Sequence, residues 1–266
     1  MDIKNIKNSV DPKFFKEHQE SLYDALEDKH TTVEILDDDD PLNTKMVLNM
    51  GPQHPATHGV LRLVLQLNGE LIEKAKLDIG YLHRGIEKIA ENKTYQEFMP
   101  YTDRTDYLSP YSNNVALCTA VEKIANVEVP ERAHYIRMIG CELARISSHL
   151  LWLGTMVQDT GAVSFFLWTF REREKIYDIF DHIGGHRFTI SHARIGGVAN
   201  DLTDDALAMI KDFVSDFPQE LKDFHGLLDR NRIFFDRNRG VGVLPTERAI
   251  EIGATGPTLR GFGLCL

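Results

Sequence analysis

The segment Gly51-Pro-Gln-His-Pro-Ala-Thr-His-Gly59 gathers the side chains best suited to chemistry. His54 and His58 are four residues apart, the spacing that puts two ligands on one helical face. A helix is disfavoured here, because Gly51, Pro52 and Pro55 interrupt it and Pro55 drives His54 toward extended backbone. A stiff loop between two strands is expected instead, of the kind that bears function on a rigid scaffold. Three uses of the imidazoles are open. They can bond to nearby backbone and hold the loop. They can share a metal ion, although no third ligand stands at an obvious spacing. Or one of them can handle a proton, since imidazole titrates at about 6.5.

The elements that must position this loop lie on either side of it. Lys45–Met50 is strand-like, and Val60–Leu67 alternates with Leu61, Leu63, Leu65 and Leu67 on one face. Asn68-Gly69 then gives a hairpin signal. The return strand Glu70–Ile79 places Leu71, Ala75, Leu77 and Ile79 on one face, so a small antiparallel sheet with one buried side is expected. Helices follow. Arg84–Asn92, Thr94–Asp103 and Asn113–Asn126 are short candidates. Pro130–Gln158 is long, with apolar residues from Ile136 to Val157 recurring every three or four positions. Gly140, Ala144, Ser147, Ser148 and Gly154 would let neighbouring helices approach closely. Val163–Ile183, stopped by Gly184-Gly185, and Asp204–Asp229 complete the helices, with His192–Val198 between them expected to return to the sheet. The fold class is α+β, helix-dominated: a helix bundle with a small antiparallel sheet at one end. Three regions are expected: an acidic arm over 1–43, a small β region with the histidine loop over 44–80, and a helical bundle over 81–266.

Composition narrows the function. The 266 residues are 42% hydrophobic and 26% charged, ordinary for a globular protein. Of the net charge of −10, residues 1–43 account for −7, so an acidic arm joins a nearly neutral body. Phe14–Leu26 could be a short helix, and Asp37–Asp40 should stay solvated. No basic stripe or zinc-finger spacing suggests nucleic acid. Cys118, Cys141 and Cys265 are scattered, with no CxxC for an iron–sulfur cluster or zinc ribbon, and they suit a reducing compartment. The richest apolar run, Ala162–Phe170, is about half the length a bilayer span needs.

The loop, followed by Gly80-Tyr-Leu-His-Arg-Gly-Ile-Glu-Lys88, resembles the quinone-chamber (D-type) subunits of respiratory complex I, a family related to the large subunit of nickel–iron hydrogenases. The likeness continues through Tyr101-Thr-Asp-Arg-Thr-Asp-Tyr-Leu108, Glu142-Leu-Ala-Arg-Ile-Ser-Ser-His149, Phe170-Arg-Glu-Arg-Glu174, Arg194-Ile-Gly-Gly-Val198, Arg239-Gly-Val-Gly-Val243 and Gly256-Pro-Thr-Leu-Arg260. It spans 45–260 and leaves out the N-terminal arm. The resemblance implies a hydrogenase-large-subunit-like fold and a peripheral place on the cytoplasmic face of the inner (cell) membrane, held by partner subunits. It implies quinone reduction in an H+-translocating NADH:quinone oxidoreductase. The quinone, ubiquinone or menaquinone, is the substrate. Electrons would come from an iron–sulfur cluster in a small partner subunit, with FMN and further clusters in other partners. A protein like the C-type subunits of complex I and the membrane quinone-channel subunit are further expected partners. No GxGxxG follows a strand, so NADH is not expected to bind this chain by that fingerprint.

The family also implies residue roles. His58 and Tyr107 would contact the quinone headgroup, and Asp159 would pair with His58. Reduction of a quinone takes two electrons and two protons, and imidazole and phenol are both donors. From the residues alone, Tyr107 reads as a half-buried core tyrosine and Asp159 as an exposed carboxylate at an unfavourable helix C-terminus. Arg104 would lie beside the partner's cluster, its alternative being a surface ion pair with Asp103 or Asp106. Glu87 could relay protons or pair with Arg84, and His54 accompanies His58 in the loop. Thr189 stands where many relatives carry a histidine near the cluster, and threonine does not titrate. A nickel–iron hydrogenase is the main rival, but Asp106 and Ser109 occupy the places of its first cysteine pair, and nickel at such a site needs thiolates. A non-catalytic scaffold is the second. The stretch Gly256–Leu266 reads as ending without a closing helix or strand, as though cut short. Loss of a C-terminal part would then expose apolar helix faces such as that of Pro130–Gln158 and leave the chain alone poorly soluble.

Overall fold

The computed structural model describes residues 34–36 and 45–261. The expected helix over Phe14–Leu26 and the solvated Asp37–Asp40 lie outside the described residues. The chain divides into two compact units, Met1–Gly85 and Ile86–Leu266.

The first unit holds a four-stranded antiparallel sheet. Strands β1 (Glu34–Leu36), β2 (Lys45–Met50), β5 (Arg62–Asn68) and β6 (Leu71–Asp78) pair in that order. A two-stranded ribbon, β3 (Gln53–His54) and β4 (Gly59–Val60), branches from it. The expected strand Val60–Leu67 is thus split at Leu61, its first residue pairing in the ribbon and the rest in the sheet. The hairpin register pairs Asn68 with Leu71, so Gly69 and Glu70 form the turn and Asn68 remains in the strand. Gly69 alone takes positive φ, +60°, as a turn with glycine at its first central position requires.

A bulge between Gln66 and Leu67 skips Glu73 and shifts the facing set of β6. Ile72, rather than Leu71, joins Ala75 and Leu77 on the face of Leu63, Leu65 and Leu67. Glu73 turns to the other face, where its carboxylate accepts from Asn68 Nδ2 at 3.2 Å and Gln66 Nε2 at 3.4 Å. The expected buried side is covered only at its middle. Leu65 is 6% exposed, whereas Ile72 and Leu77 on the outer strand are 62% and 63% exposed. Arg62 ties three strands beside the histidine ribbon, donating to Asn49 Oδ1 at 3.0 Å and pairing with Asp78 at 3.4 Å.

The second unit is helical: α1 (Ile86–Ala90), α2 (Tyr95–Thr102), α3 (Pro110–Ala125), α4 (Glu131–Asp159), α5 (Val163–Gly184), α6 (Asp204–Leu228), α7 (Arg232–Asn238), α8 (Thr246–Glu251) and α9 (Gly256–Gly261). The molecule is therefore helix-dominated α+β, as expected. Some starts have a local cause. Thr94 and Glu97 form a capping box for α2, and Thr203 caps α6 by accepting from Ala206 N–H at 3.2 Å. Pro130 sits just outside α4. Gly256–Gly261 is a helical turn, contrary to the expected absence of regular structure there. Glycine and proline punctuation obscured it.

Helices α4 and α5 form the axis of the core. Leu143, Leu150, Val157, Phe165, Ile176 and Phe180 are all at most 4% exposed. Burying each such side chain stabilises by about 1.5–3 kcal/mol. The face of α4 from Ile136 to Val157 is buried or half-buried within this unit, while Tyr135, Met138 and Trp152 on the same helix stay 58–59% exposed. Its small residues act as anticipated. A Cβ on Gly140 would come within 2.5 Å of the Tyr111 ring on α3, and one on Gly154 would meet the Thr169 hydroxyl on α5. Ser147 accepts from buried Arg173 Nε at 3.0 Å.

Residues 193–198 do not join the main sheet. They form a separate ribbon, β7 (Ala193–Arg194) and β8 (Gly197–Val198). A buried ion pair explains its place. Arg137 on α4 pairs with Glu122 on α3 at 2.5 Å, both side chains under 8% exposed. The same guanidinium donates to Arg194 O at 2.7 Å and Gly197 O at 2.9 Å, while Gly196 N–H donates to Glu122 at 2.7 Å. Those backbone groups are satisfied by side chains of α3 and α4 rather than by a sheet.

Candidate functional site

The histidine loop folds as a short 3-10 turn, Pro55–Thr57, between β3 and β4. His54 caps it. Its Nδ1 accepts from Ala56 N–H at 3.1 Å, and its carbonyl accepts from the Thr57 hydroxyl at 2.8 Å. This is the backbone-holding use of an imidazole. His58 closes the turn in the left-handed region, φ 47° and ψ 48°, and its side chain is exposed. Such a backbone is uncommon for a residue other than glycine and often marks a functional position.

Arg104 and Tyr107 share the turn between α2 and α3. Tyr107 is 47% exposed, not half-buried in a core. The turn is built locally. Asp106 accepts from Leu108 N–H at 3.2 Å through Oδ1 and from Asn113 Nδ2 at 3.0 Å through its carbonyl. The Ser109 hydroxyl bonds to that of Ser112 at 2.9 Å. Arg104 donates to Pro100 O. Asp103, weighed as its ion-pair partner, is instead 1% exposed and accepts from the Ser191 hydroxyl at 2.9 Å. Burial pushes the Asp103 carboxyl up, against hydrogen bonding from Ser191 and Asn114 and the charges of Arg104 and Arg194.

Asp159 is the last residue of α4 and is exposed. The helix end it shares is served by Arg237, which donates to Thr160 O at 3.0 Å. A cation there complements both the free carbonyls and a carboxylate. Glu87 lies exposed in the first turn of α1. His54 and His58 belong to the first unit, and Glu87, Arg104, Tyr107 and Asp159 to the second. Within the second unit, Arg104 and Tyr107 are brought together on one turn, and Asp159 stands at the end of α4.

Near Thr189 in sequence stands His192, whose role spacing leaves open. His192 is 1% exposed, bonded through Nδ1 to Tyr111 Oη at 3.0 Å and through Nε2 to Asn200 O at 2.9 Å. A carbonyl only accepts, so Nε2 carries the proton and Nδ1 accepts from the phenol. Burial lowers its pKa. His192 is therefore a neutral structural histidine, and Ser191 beside it adopts φ +41°. Asp103 and Ser191 are 88 residues apart, so spacing gave no signal of their bond. Among the described residues, no three His, Cys, Asp or Glu side chains cluster as a metal site would need, and no helix is long and apolar enough to cross a membrane.

A family model described as the respiratory-chain NADH dehydrogenase 49 Kd subunit matches residues 159–266. The NADH-quinone oxidoreductase D subunit of Salinibacter ruber is 59% identical over 267 residues, covering 95% of this chain and 59% of that protein. The chain is similar to NADH-quinone oxidoreductase D subunits. The D 1 subunit of Chloroherpeton thalassium is 61% identical over 246 residues, covering 92% of this chain and 56% of its own length. The D subunit of Methylacidiphilum infernorum is 52% identical over 224 residues, 84% of this chain and 54% of that protein. The chain thus spans little more than half the length of these relatives. Similarity nonetheless runs through nearly all of it, including the regions where the motifs were read.

Proposed function

We propose that this chain is the quinone-binding part of an NADH:quinone oxidoreductase D subunit, placed between an iron–sulfur partner and the membrane quinone pool. The observation that supports this most is the 59% identity to a protein of that name over 95% of the chain. Electrons reach the quinone from a cluster in a small partner subunit, FMN and other clusters lying further upstream. Arg104 stands beside that cluster as a fixed positive charge, which favours its reduced form. The quinone carbonyl oxygens take up two electrons and two protons and leave as hydroxyls. Tyr107 and His58 are the proposed proton donors to the headgroup, with Asp159 as the carboxylate that assists. The local chemistry of each group fits. The phenol is exposed on a turn fixed by Asp106, and the imidazole stands on a turn held by His54. A C-type partner and the membrane quinone-channel subunit hold the assembly at the membrane surface, on its cytoplasmic side.

The test is Tyr107→Phe in the assembled oxidoreductase. Loss of a positioned general acid lowers turnover by roughly 10²-fold or more. Quinone reduction should fall by that order while NADH still reduces the partner's cluster at the original rate. Unchanged quinone turnover removes Tyr107 from the site.

A further inference from the structure

The turn that displays Tyr107 is held mostly by bonds within its own neighbourhood. Thr105 Oγ donates to Thr102 O at 2.8 Å, and Asp106 serves Leu108 and Asn113. Such bonds shape the turn but do not fix it to the rest of the unit. At its base, the buried Thr102 hydroxyl accepts from Asn114 Nδ2 at 2.8 Å and donates to Met99 O at 2.7 Å, joining α2 to α3. The bond from Ser191 to Asp103 reaches furthest along the chain, and it crosses from the segment after α5 to the start of the turn. Two further features set it apart. The Asp103 carboxylate is almost fully buried, and besides Ser191 the Asn114 amide is the other hydrogen-bonding side chain that favours its charge. Losing the Ser191 donor would leave a buried carboxylate with weaker support, so the pressure to rearrange falls on the backbone of 103–107. Ser191 also holds φ +41°, a conformation unfavourable for a side chain with Cβ, and in it the hydroxyl reaches Asp103.

We propose that the Asp103–Ser191 hydrogen bond is a positioning device for Tyr107, pinning its turn to the segment that carries Thr189 and His192 so that the phenol is held at the quinone. This rests on the reading of Tyr107 as a quinone donor. Neither Asp103 nor Ser191 touches the substrate. Both act through the backbone between 103 and 107. A displacement of about 1 Å at a reacting group costs up to roughly 10²-fold in rate.

The experiment is a double-mutant cycle on quinone turnover in the assembled oxidoreductase, with cluster reduction by NADH and the amount of assembled complex measured alongside. Ser191→Ala should lower kcat about 10-fold with little change in quinone KM. In a Tyr107→Phe background, Ser191→Ala should have almost no further effect, because its route to the quinone is already gone. A merely structural serine would give the same loss in both backgrounds. Ser191→Gly relieves the positive φ while still lacking the hydroxyl, and it should match Ser191→Ala. Full activity in Ser191→Gly, or losses that multiply with Tyr107→Phe, overturns the proposal. An unaffected Tyr107→Phe enzyme overturns the quinone reading itself, so the two failures are distinct.

Discussion

Removing the Glu122 side chain isolates the contribution of one buried charge to the packing around the 193–198 ribbon. In Glu122→Ala, Arg137 keeps its bonds to Arg194 O and Gly197 O but loses a carboxylate bound at 2.5 and 3.0 Å. Its side chain is 4% exposed, so water cannot readily replace the partner. Breaking a buried pair from one side costs about 3–5 kcal/mol. Gly196 N–H, donating to the same carboxylate at 2.7 Å, is orphaned as well, which keeps the loss toward the upper end. Glu122→Gln retains an acceptor for Gly196 and should lose less. Both tryptophans, Trp152 and Trp168, lie on α4 and α5, so guanidinium denaturation followed by their fluorescence reports on this unit. The hydrogen bonds from Arg137 hold the Glu122 carboxyl below its ordinary value of 4.5. A depressed carboxyl stabilises fully above the unfolded value and loses that contribution as pH falls through the folded one. The gap between native and Glu122→Ala chains should therefore be full at neutral pH and shrink below about pH 4.5. A loss under about 1 kcal/mol, with no pH dependence, would show that the pair behaves as a solvated surface bridge.

Two further substitutions test the packing. Gly140→Ala drives a methyl to 2.5 Å from the Tyr111 ring and should cost about 1–3 kcal/mol by overpacking, read as a lower denaturation midpoint; a neutral outcome would mean the α3–α4 seam is looser than described. Tyr111→Phe leaves the buried Nδ1 of His192 without its donor and should cost about 1–3 kcal/mol, and nitrogen NMR should show His192 protonated at Nε2 in the native chain. A proton on Nδ1 at neutral pH would refute that assignment.

Much of the fold could be read in advance because its signals are local. The ladder from Ile136 to Val157 marks the buried face of α4, and Thr94 with Glu97 marks the start of α2. The hairpin was visible in Asn68-Gly69, but the bulge at Glu73 was not, since an alternating pattern does not show a skipped residue. The ribbon at 193–198 was assigned to the sheet because its short β signals match any strand. Its backbone partners are Glu122 and Arg137, 57 to 74 residues earlier in the chain. The same limit applied around Tyr107. The motif drew attention to Arg104, Tyr107 and the two acids beside it, yet spacing could not tell that Asp103 is buried against Ser191 while Tyr107 is exposed. His186 and His192 lie equally near Thr189 in sequence, and only the fold shows Tyr111 and Asn200 on the two ring nitrogens of His192.

The two glycine contacts along α4 also limit how its helices can move. Gly140 lies under the Tyr111 ring and Gly154 against Thr169. A slide of one turn, about 5.4 Å, would bring Ile136 or Ala144 beneath that ring and Leu150 or Gln158 against Thr169. None of these leaves the gap that glycine does. The interlock admits a single alignment, so α3, α4 and α5 cannot ratchet past one another in graded steps. The connector Thr160–Ala162 is tied in the same way, its three N–H groups bonded to the carbonyls of Met156, Gln158 and Val157, so the corner beside Asp159 is held by the helix it ends.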